Sequence, residues 1–264
     1  MSAAVPRSRH RLMLAAGSLL DASPQALLEA AAAAGFEGIG LRLSHDHALD
    51  TASAAQLARQ ATDLGVVVHD VEVHRIGTTS PDEATMLAHT AAVLGAAHLL
   101  VVSDLDIAVY GLAATEDALG DVARRCRAEG VTAALEYMAF TTPRSSADAV
   151  ALARATDSVV VVDVLHHQRL GEGTTELGNV VRSGTLGWVQ ICDAPAATPT
   201  DLIDEARHHR LPPGQGELPL DALLAVVPTH IPLSVEVQSD HLAARFEPAA
   251  RAALLHRACL AAGH

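Results

Sequence analysis

Short, nearly all-apolar runs alternate along this chain with Ala/Leu-rich segments of helical length. A strand covered on both faces reads as a continuous apolar run because neither face meets water. The alternation therefore predicts repeated βα units around a parallel sheet. Eight strands are predicted: Leu12–Ala16, Gly38–Leu43, Val66–Val73, His98–Val102, Thr132–Glu136, Val159–Asp163, Trp188–Cys192 and Leu233–Val237. Helices are predicted near Pro24–Ala34, Ala52–Asp63, Pro81–Leu94, Glu116–Glu129, Ser145–Ala155, Leu218–Val227 and Pro248–Ala261.

Local start and stop signals agree with this division. Ser23-Pro24 and Ser80-Pro81 each set a capping hydroxyl before a proline suited to the first helical turn. Gly35, Gly65, Gly95 and Gly130 each follow a helical stretch and precede a strand, where a left-handed residue ends the helix. The fold class predicted is α/β, a single-domain (β/α)8 TIM barrel over residues 1–264, with residues 1–10 as a flexible N-terminus. No linker or shift in composition divides the chain.

Composition narrows the function classes. The 264 residues suit one such barrel, which commonly takes about 250. A balance of 18 Lys+Arg against 31 Asp+Glu gives a net charge of −13, which disfavours nucleic acid and anionic membrane as partners. Aromatic residues are only 2 % of the chain, leaving little surface for stacking on bases. No apolar stretch reaches the roughly 20 residues that cross a bilayer. Arg7, Arg9 and Arg11 ahead of LMLAAGSLL faintly suggest a signal peptide, but the run is short, contains Gly17 and stops at Asp21, so export is not expected. Cys126, Cys192 and Cys259 are few and far apart, which fits reduced, buried thiols in a cytoplasmic protein.

Four predicted strands end in a group able to bind a hard metal: LEYM at Glu136, VVVVDVLH at Asp163, WVQICD at Gln190 and SVEVQ at Glu236. In a parallel barrel the strand C-termini share one face, where side chains distant in sequence converge. Two glutamates, an aspartate and an amide oxygen suit Mn²⁺ or Mg²⁺ by hardness, with Co²⁺ or Zn²⁺ as further choices. Each acid has a plainer reading as a helix cap or salt-bridge partner. Their joint placement on strands five to eight favours the metal.

The segments AAAAGFEGIGLRL, LEYM, VVDVLHHQRLG, WVQICDAP, EARHHRLPPGQGELPL and PLSVEV resemble the xylose isomerase-like TIM-barrel superfamily over nearly the whole chain. That group holds sugar (phosphate) isomerases and epimerases, inositol-pathway isomerases and 3-dehydroshikimate dehydratases. The resemblance implies Glu136, Asp163, Gln190 and Glu236 as metal ligands, His166 facing the substrate, and Glu136 and Glu236 as the acid/base pair. Many epimerases of the group carry histidine where this chain has Gln190, whereas some dehydratases use glutamine there. The metal would polarise a hydroxycarbonyl compound and stabilise an enediolate. Reprotonation elsewhere isomerises, reprotonation on the opposite face epimerises, and expulsion of a β-hydroxyl dehydrates.

Other residues are candidates for substrate contact. His166 can hydrogen-bond a substrate oxygen or shuttle a proton, or merely support Asp163; His167 beside it need not share the cavity. Arg207 and Arg42 are candidate anion contacts, each with a salt bridge as the rival reading. Glu72 is a candidate substrate contact at the end of strand three, ahead of His69 and His74. The PPGQG run can present backbone N–H groups to an anion but lacks the Lys-Ser/Thr of a P-loop. There Gly214 and Gly216 read as loop-shaping residues, and Glu217 as a helix-start acid.

No G-x-S-x-G elbow, catalytic cysteine motif or dinucleotide fingerprint is present. The expectation is a cytoplasmic, divalent-metal-dependent isomerase or epimerase of a small sugar, polyol or related hydroxycarbonyl compound. A dehydratase of the 3-dehydroshikimate type comes second, favoured by Gln190 and the arginines, and a non-catalytic ligand-binding barrel third. The expected partner is a small-molecule substrate, and resembling barrels often form homodimers.

Overall fold

The computed structural model describes residues 10–43, 48–103 and 111–263; Arg7, Arg9 and all but the last residue of the flexible segment expected over 1–10 lie outside these, and His10 is held by Nδ1 2.9 Å from Ile231 O. Eight parallel strands close into a barrel in sequence order, with β1 (Leu12–Leu14) paired to both β2 (Gly38–Arg42) and β8 (Leu233–Val235). Between them run β3 (Val67–Ile76), β4 (His98–Ser103), β5 (Thr132–Glu136), β6 (Val159–Asp163) and β7 (Leu186–Ile191). The (β/α)8 barrel read from the apolar alternation is the observed fold.

Helices α1 (Pro24–Ala34), α2 (Thr51–Leu64), α3 (Pro81–Leu94), α4 (Leu112–Ala128) and α5 (Ser146–Thr156) cover the first half of the barrel. Their ends follow the predicted signals. Ser23 Oγ accepts from Ala26 N and Ser80 Oγ from Glu83 N, while Gly35, Gly65 and Gly95 close their helices in the left-handed region.

The second half departs from the expectation. Two short helices, α6 (Val164–Arg169) and α7 (Thr174–Ser183), follow β6, and α8 (Leu202–His208) and α9 (Leu220–Leu224) follow β7. After β8 come α10 (Asp240–Ala243) and the predicted α11 (Pro248–Ala261). Of these, α6, α7, α8 and α10 were not predicted: α6, α8 and α10 are too short to show a period, whereas the ten residues of α7 do bury one face through Leu177 and Val180 and were missed between β6 and β7. Strand bounds also shift: β3 runs three residues beyond Val73, β7 begins two residues before Trp188, and β1 and β8 each stop two residues short of the predicted Ala16 and Val237.

The core has two parts. One large apolar layer fills the space between strands and helices, from Leu14 and Ile39 through Leu135, Val162 and Val189 to Leu255. A small separate cluster of Leu100, Ala134, Val161 and Trp188 plugs the barrel interior. That plug forms the floor on which the site is built.

Candidate metal centre

Side chains two apart on a strand share a face. Ala134, Val161 and Trp188 lie in the interior plug, so Glu136, Asp163 and Gln190 point into the same interior one step nearer the strand C-termini. Glu236, directly after β8, extends the ladder through its N–H to Ile191 O at 3.0 Å and joins them. Its carboxylate packs on Gly17, where an added Cβ would collide with the Oε1 atom.

Asp163 ends β6 and begins α6 in one residue. Its Oδ1 accepts from Leu165 N (2.7 Å) and His166 N (3.3 Å), a capping geometry that aims Oδ2 into the barrel. The first turn of α6 then brings His166 back over the strand ends. One ligand atom from each of Glu136, Asp163 and His166 lies within 4.8 Å of the others, and His166 Nε2 is 3.9 Å from Glu136 Oε1. Gln190, paired in register with Asp163, carries a buried Oε1 with no hydrogen-bond partner.

Arg210 is the residue that the sequence did not single out. Its Nη1 donates to Asp163 Oδ2 at 2.6 Å and to Glu236 O at 3.2 Å, and lies 3.4 Å from Glu236 Oε2. Its Nε donates to Ala206 O at 2.7 Å, and the side chain is buried. Arg207, only three residues earlier, is exposed at the rim of the cavity above. Nothing in the local sequence separates the two, because the excursion between β7 and β8 lacks a regular period.

Charge is crowded here. Burial, together with Glu236 and Asp163 nearby, holds the Glu136 carboxyl well above the usual carboxylate range. Burial lifts Glu236 to about 7, with Arg210 opposing and Asp163 adding to the rise. Asp163 is held below its ordinary value because Arg210, His166 and the Leu165 N–H outweigh its burial. Burial lowers His166 to about 4, so its ring is neutral and able to act as a donor-acceptor or a ligand. Three buried carboxylates share one buried guanidinium, and an amide oxygen faces them unpartnered. That donor set fits a divalent cation, which Glu136, Asp163 and His166 would hold with the Gln190 oxygen facing them, while Glu236, expected as a further ligand, falls outside the 4.8 Å group and lies beside Arg210.

Above the centre lies a cavity of about 430 Å³, lined by Glu136, Glu236, His166 and Arg210 at its base and by Arg42 and Arg207 higher up. Arg42 donates from Nε and Nη2 to Glu72 Oε2 at 3.0 and 2.7 Å. Glu72 is wholly buried beneath it and reaches the cavity only through that arginine. His69 packs on His98 and Trp188 in the floor with ring centroids 4.9 Å away, and His74 is buried away from the cavity. His167 turns outward, bonded to Tyr137 Oη (2.7 Å) and Gly173 O (2.9 Å), and so anchors α6.

The PPGQG run does bind an anion through its backbone, but the anion is internal. Asp193 accepts from Gly214 N, Leu218 N and Ala194 N at 3.0, 3.0 and 2.9 Å. A Cβ on Gly216 would strike the same carboxylate. Glu217 accepts from Ala196 N at 3.0 Å, tying the other side of the loop. Together with the Asp193–Leu211 bridge and the Arg210 N–H to Gln238 O (3.0 Å), these bonds set Arg210 over the acids.

A family model described as xylose isomerase-like TIM barrel matches residues 28–259. The chain belongs to that family. Several solved structures share the family's fold with it. A xylose isomerase-like TIM barrel/4-hydroxyphenylpyruvate dioxygenase fusion protein is 24 % identical with a TM-score of 0.80; the match covers 96 % of this chain and 42 % of the fusion, so this chain spans under half of that protein. The IolI protein with a bound zinc atom is 17 % identical with a TM-score of 0.79, over 96 % of both chains. D-psicose 3-epimerase with D-fructose is 14 % identical with a TM-score of 0.74, over 96 % of this chain and all of the other. The probable 3-DHS dehydratase AsbF from Bacillus anthracis is 12 % identical with a TM-score of 0.76, over 96 % and 98 %. A comparison with curated protein sequences gives no significant match. Among the described residues, no helix is long and apolar enough to cross a membrane.

Proposed function

We propose that this chain is a divalent-metal-dependent isomerase or epimerase of a small hydroxycarbonyl compound, acting as a cytoplasmic enzyme on a small-molecule substrate. The observation that carries this reading is the convergence of Glu136, Asp163 and His166 within 4.8 Å, beside the unpartnered Gln190 Oε1 and at the base of an open cavity. A zinc atom in the IolI relative and the activity in the name of D-psicose 3-epimerase support it. A bound divalent cation would supply Lewis-acid polarisation of a substrate carbonyl.

The chain's own residues then divide the work. Glu136 and Glu236 both line the cavity, and burial raises the proton affinity of both, that of Glu236 to about 7, which suits groups that take a proton from one carbon and return it to another. Neutral His166 can donate a hydrogen bond to a substrate oxygen or pass it a proton, with the Phe140 ring 5.1 Å away restricting its motion and water's approach. Arg210 holds Asp163 and Glu236 in place and lends positive charge to the cavity base.

A dehydratase reading is second, favoured by Gln190 in the donor set and by the arginines of the cavity, and supported by the AsbF relative. A mass-resolved screen of metal-loaded protein against ketoses, aldoses, inosose-type polyols, their phosphates and 3-dehydroshikimate, with a chelated control, tests both. Chelator-sensitive conversion at unchanged mass is the expected result. Chelator-sensitive loss of water transfers the assignment to the lyase, and no conversion of any compound overturns the enzyme reading in favour of a binding protein.

A further inference from the structure

We infer that the substrate of this site is an oxyanion, a hydroxycarbonyl compound bearing a carboxylate or phosphate that Arg207 receives at the cavity rim. The inference rests on the proposed function for what happens at the cavity base, and on separate observations for what happens at the rim.

The cavity lining mixes two kinds of side chain. Leu20, Val73, Leu100, Val102, Met138 and Phe140 are apolar. Arg42, Arg75, Arg207 and Arg210 bring positive charge. Arg42 is committed to Glu72, and Arg210 to Asp163 and Glu236. Arg207 is not: among the described residues it makes no hydrogen bond or ion pair. The acids around it are taken by other partners. On its own helix Asp204 pairs with His209 at 3.0 Å and Glu205 with Arg169 at 2.6 Å, while Asp240 pairs with His208 at 3.2 Å. A guanidinium left over in this way presents its planar fork of donors to whatever enters, and that fork matches a carboxylate or phosphate in two hydrogen bonds. Arg75, at the end of β3, also lines the cavity.

The apolar side chains of the lining argue in the same direction. A fully hydroxylated sugar needs a partner for each buried hydroxyl, since a polar group stripped of water without one is strongly disfavoured. Leu20, Val73, Leu100, Val102, Met138 and Phe140 offer none. Gln238, the neutral amide of the lining, has its Nε2 3.3 Å from Glu236 Oε1. A ligand with a short oxygenated end for the acids at the base, a carbon skeleton for the apolar side chains and one anion for Arg207 meets each part of the lining with its own chemistry. The net charge of −13 is no obstacle, because distant surface charges are screened within about 8 Å at physiological salt.

Matched pairs of probes that differ in charge test this by calorimetric binding at fixed ionic strength, in chelated and in Mg²⁺-loaded protein. The pairs are dihydroxyacetone against dihydroxyacetone phosphate, and glyceraldehyde against glycerate. The expected result is at least ten-fold tighter binding of one anionic member. That preference should fall below two-fold in Arg207→Gln, with the neutral probe's affinity unchanged. Whichever pair shows the preference identifies carboxylate or phosphate. Equal binding of neutral and anionic probes, no binding of any anionic probe, or a preference that survives Arg207→Gln overturns the inference. The two readings fail separately: anion preference without turnover of any compound removes the isomerase and lyase assignments but keeps the anion site. Turnover of neutral sugars without anion preference does the reverse.

Discussion

Two layers of the barrel interior lie one step apart on the same strands, and their chemistry is opposed. Ala134, Val161 and Trp188 close with Leu100 into an apolar plug. Glu136, Asp163 and Gln190, about 6.6 Å further along at roughly 3.3 Å per residue, form the donor layer with Glu236. The plug is apolar and aromatic-capped, with His69 and His98 packed against Trp188 at 4.9 and 5.1 Å. The donor layer above it is charged and opens to the cavity. The lower layer gives the upper one its properties: over an apolar floor the carboxylates are desolvated from below and are compensated by Arg210 or by a cation arriving from the mouth. Both layers are rigid for different reasons, the floor by packing and the mouth by charge-assisted hydrogen bonds.

Substitutions in each layer should therefore fail in different ways. Glu136→Gln is expected to lower kcat by about 10²–10⁴-fold with thermal stability kept or raised, because it removes one of the crowded carboxylates; turnover and melting measured on the same sample check it. Trp188→Ala in the floor is expected to do the opposite first, costing about 3–5 kcal/mol of stability through the cavity it leaves, read from urea unfolding. Arg210→Met tests the join between the layers. Stripped of its guanidinium, the chelated protein should lose up to about 3–5 kcal/mol, because Asp163 and Glu236 are left buried and unpaired. Saturating Mn²⁺ should recover part of that loss, and an equal loss with and without metal would show that Arg210 and the cation do not share the acids.

The smallest effect is expected from pH. Burial lowers His69 to about 3, below the ordinary value near 6.5 that it regains on unfolding. The neutral ring thus stabilises the fold fully above about pH 6.5, and that contribution declines as the pH falls toward 3, by up to about 1.4 kcal/mol per pH unit. His69→Phe should flatten this part of the acid limb of stability, measured by urea unfolding between about pH 7 and about pH 5. An unchanged slope would place the acid sensitivity in the donor layer instead.

Much of this was legible from local pattern. β5 and β6 fall on their predicted residues, as do α1, α3 and α11, because a fully buried strand and a capped amphipathic helix each write their period into a few adjacent residues. The four oxygen donors were legible for the same reason, each following an apolar run by one step. The short helices α6 and α8, which carry His166 and Arg207, were not. At six and seven residues they are too short to show a period, and their starts depend on Asp163 and Asp201 side chains that serve equally well as ligands or surface acids.

The sequence by itself determined the barrel, the order of its strands and the face on which Glu136, Asp163, Gln190 and Glu236 end, because alternation, caps and strand polarity are set by neighbours in the chain. Only the tertiary structure decided that Arg210 rather than Arg207 lies among the acids, that Glu72 works through Arg42, and that Asp193 fills the backbone cradle of the PPGQG loop. Each of those outcomes depends on hydrogen bonds between residues 20 or more positions apart. Such bonds form only once the barrel has closed and brought its loops to one rim, and no local period records them.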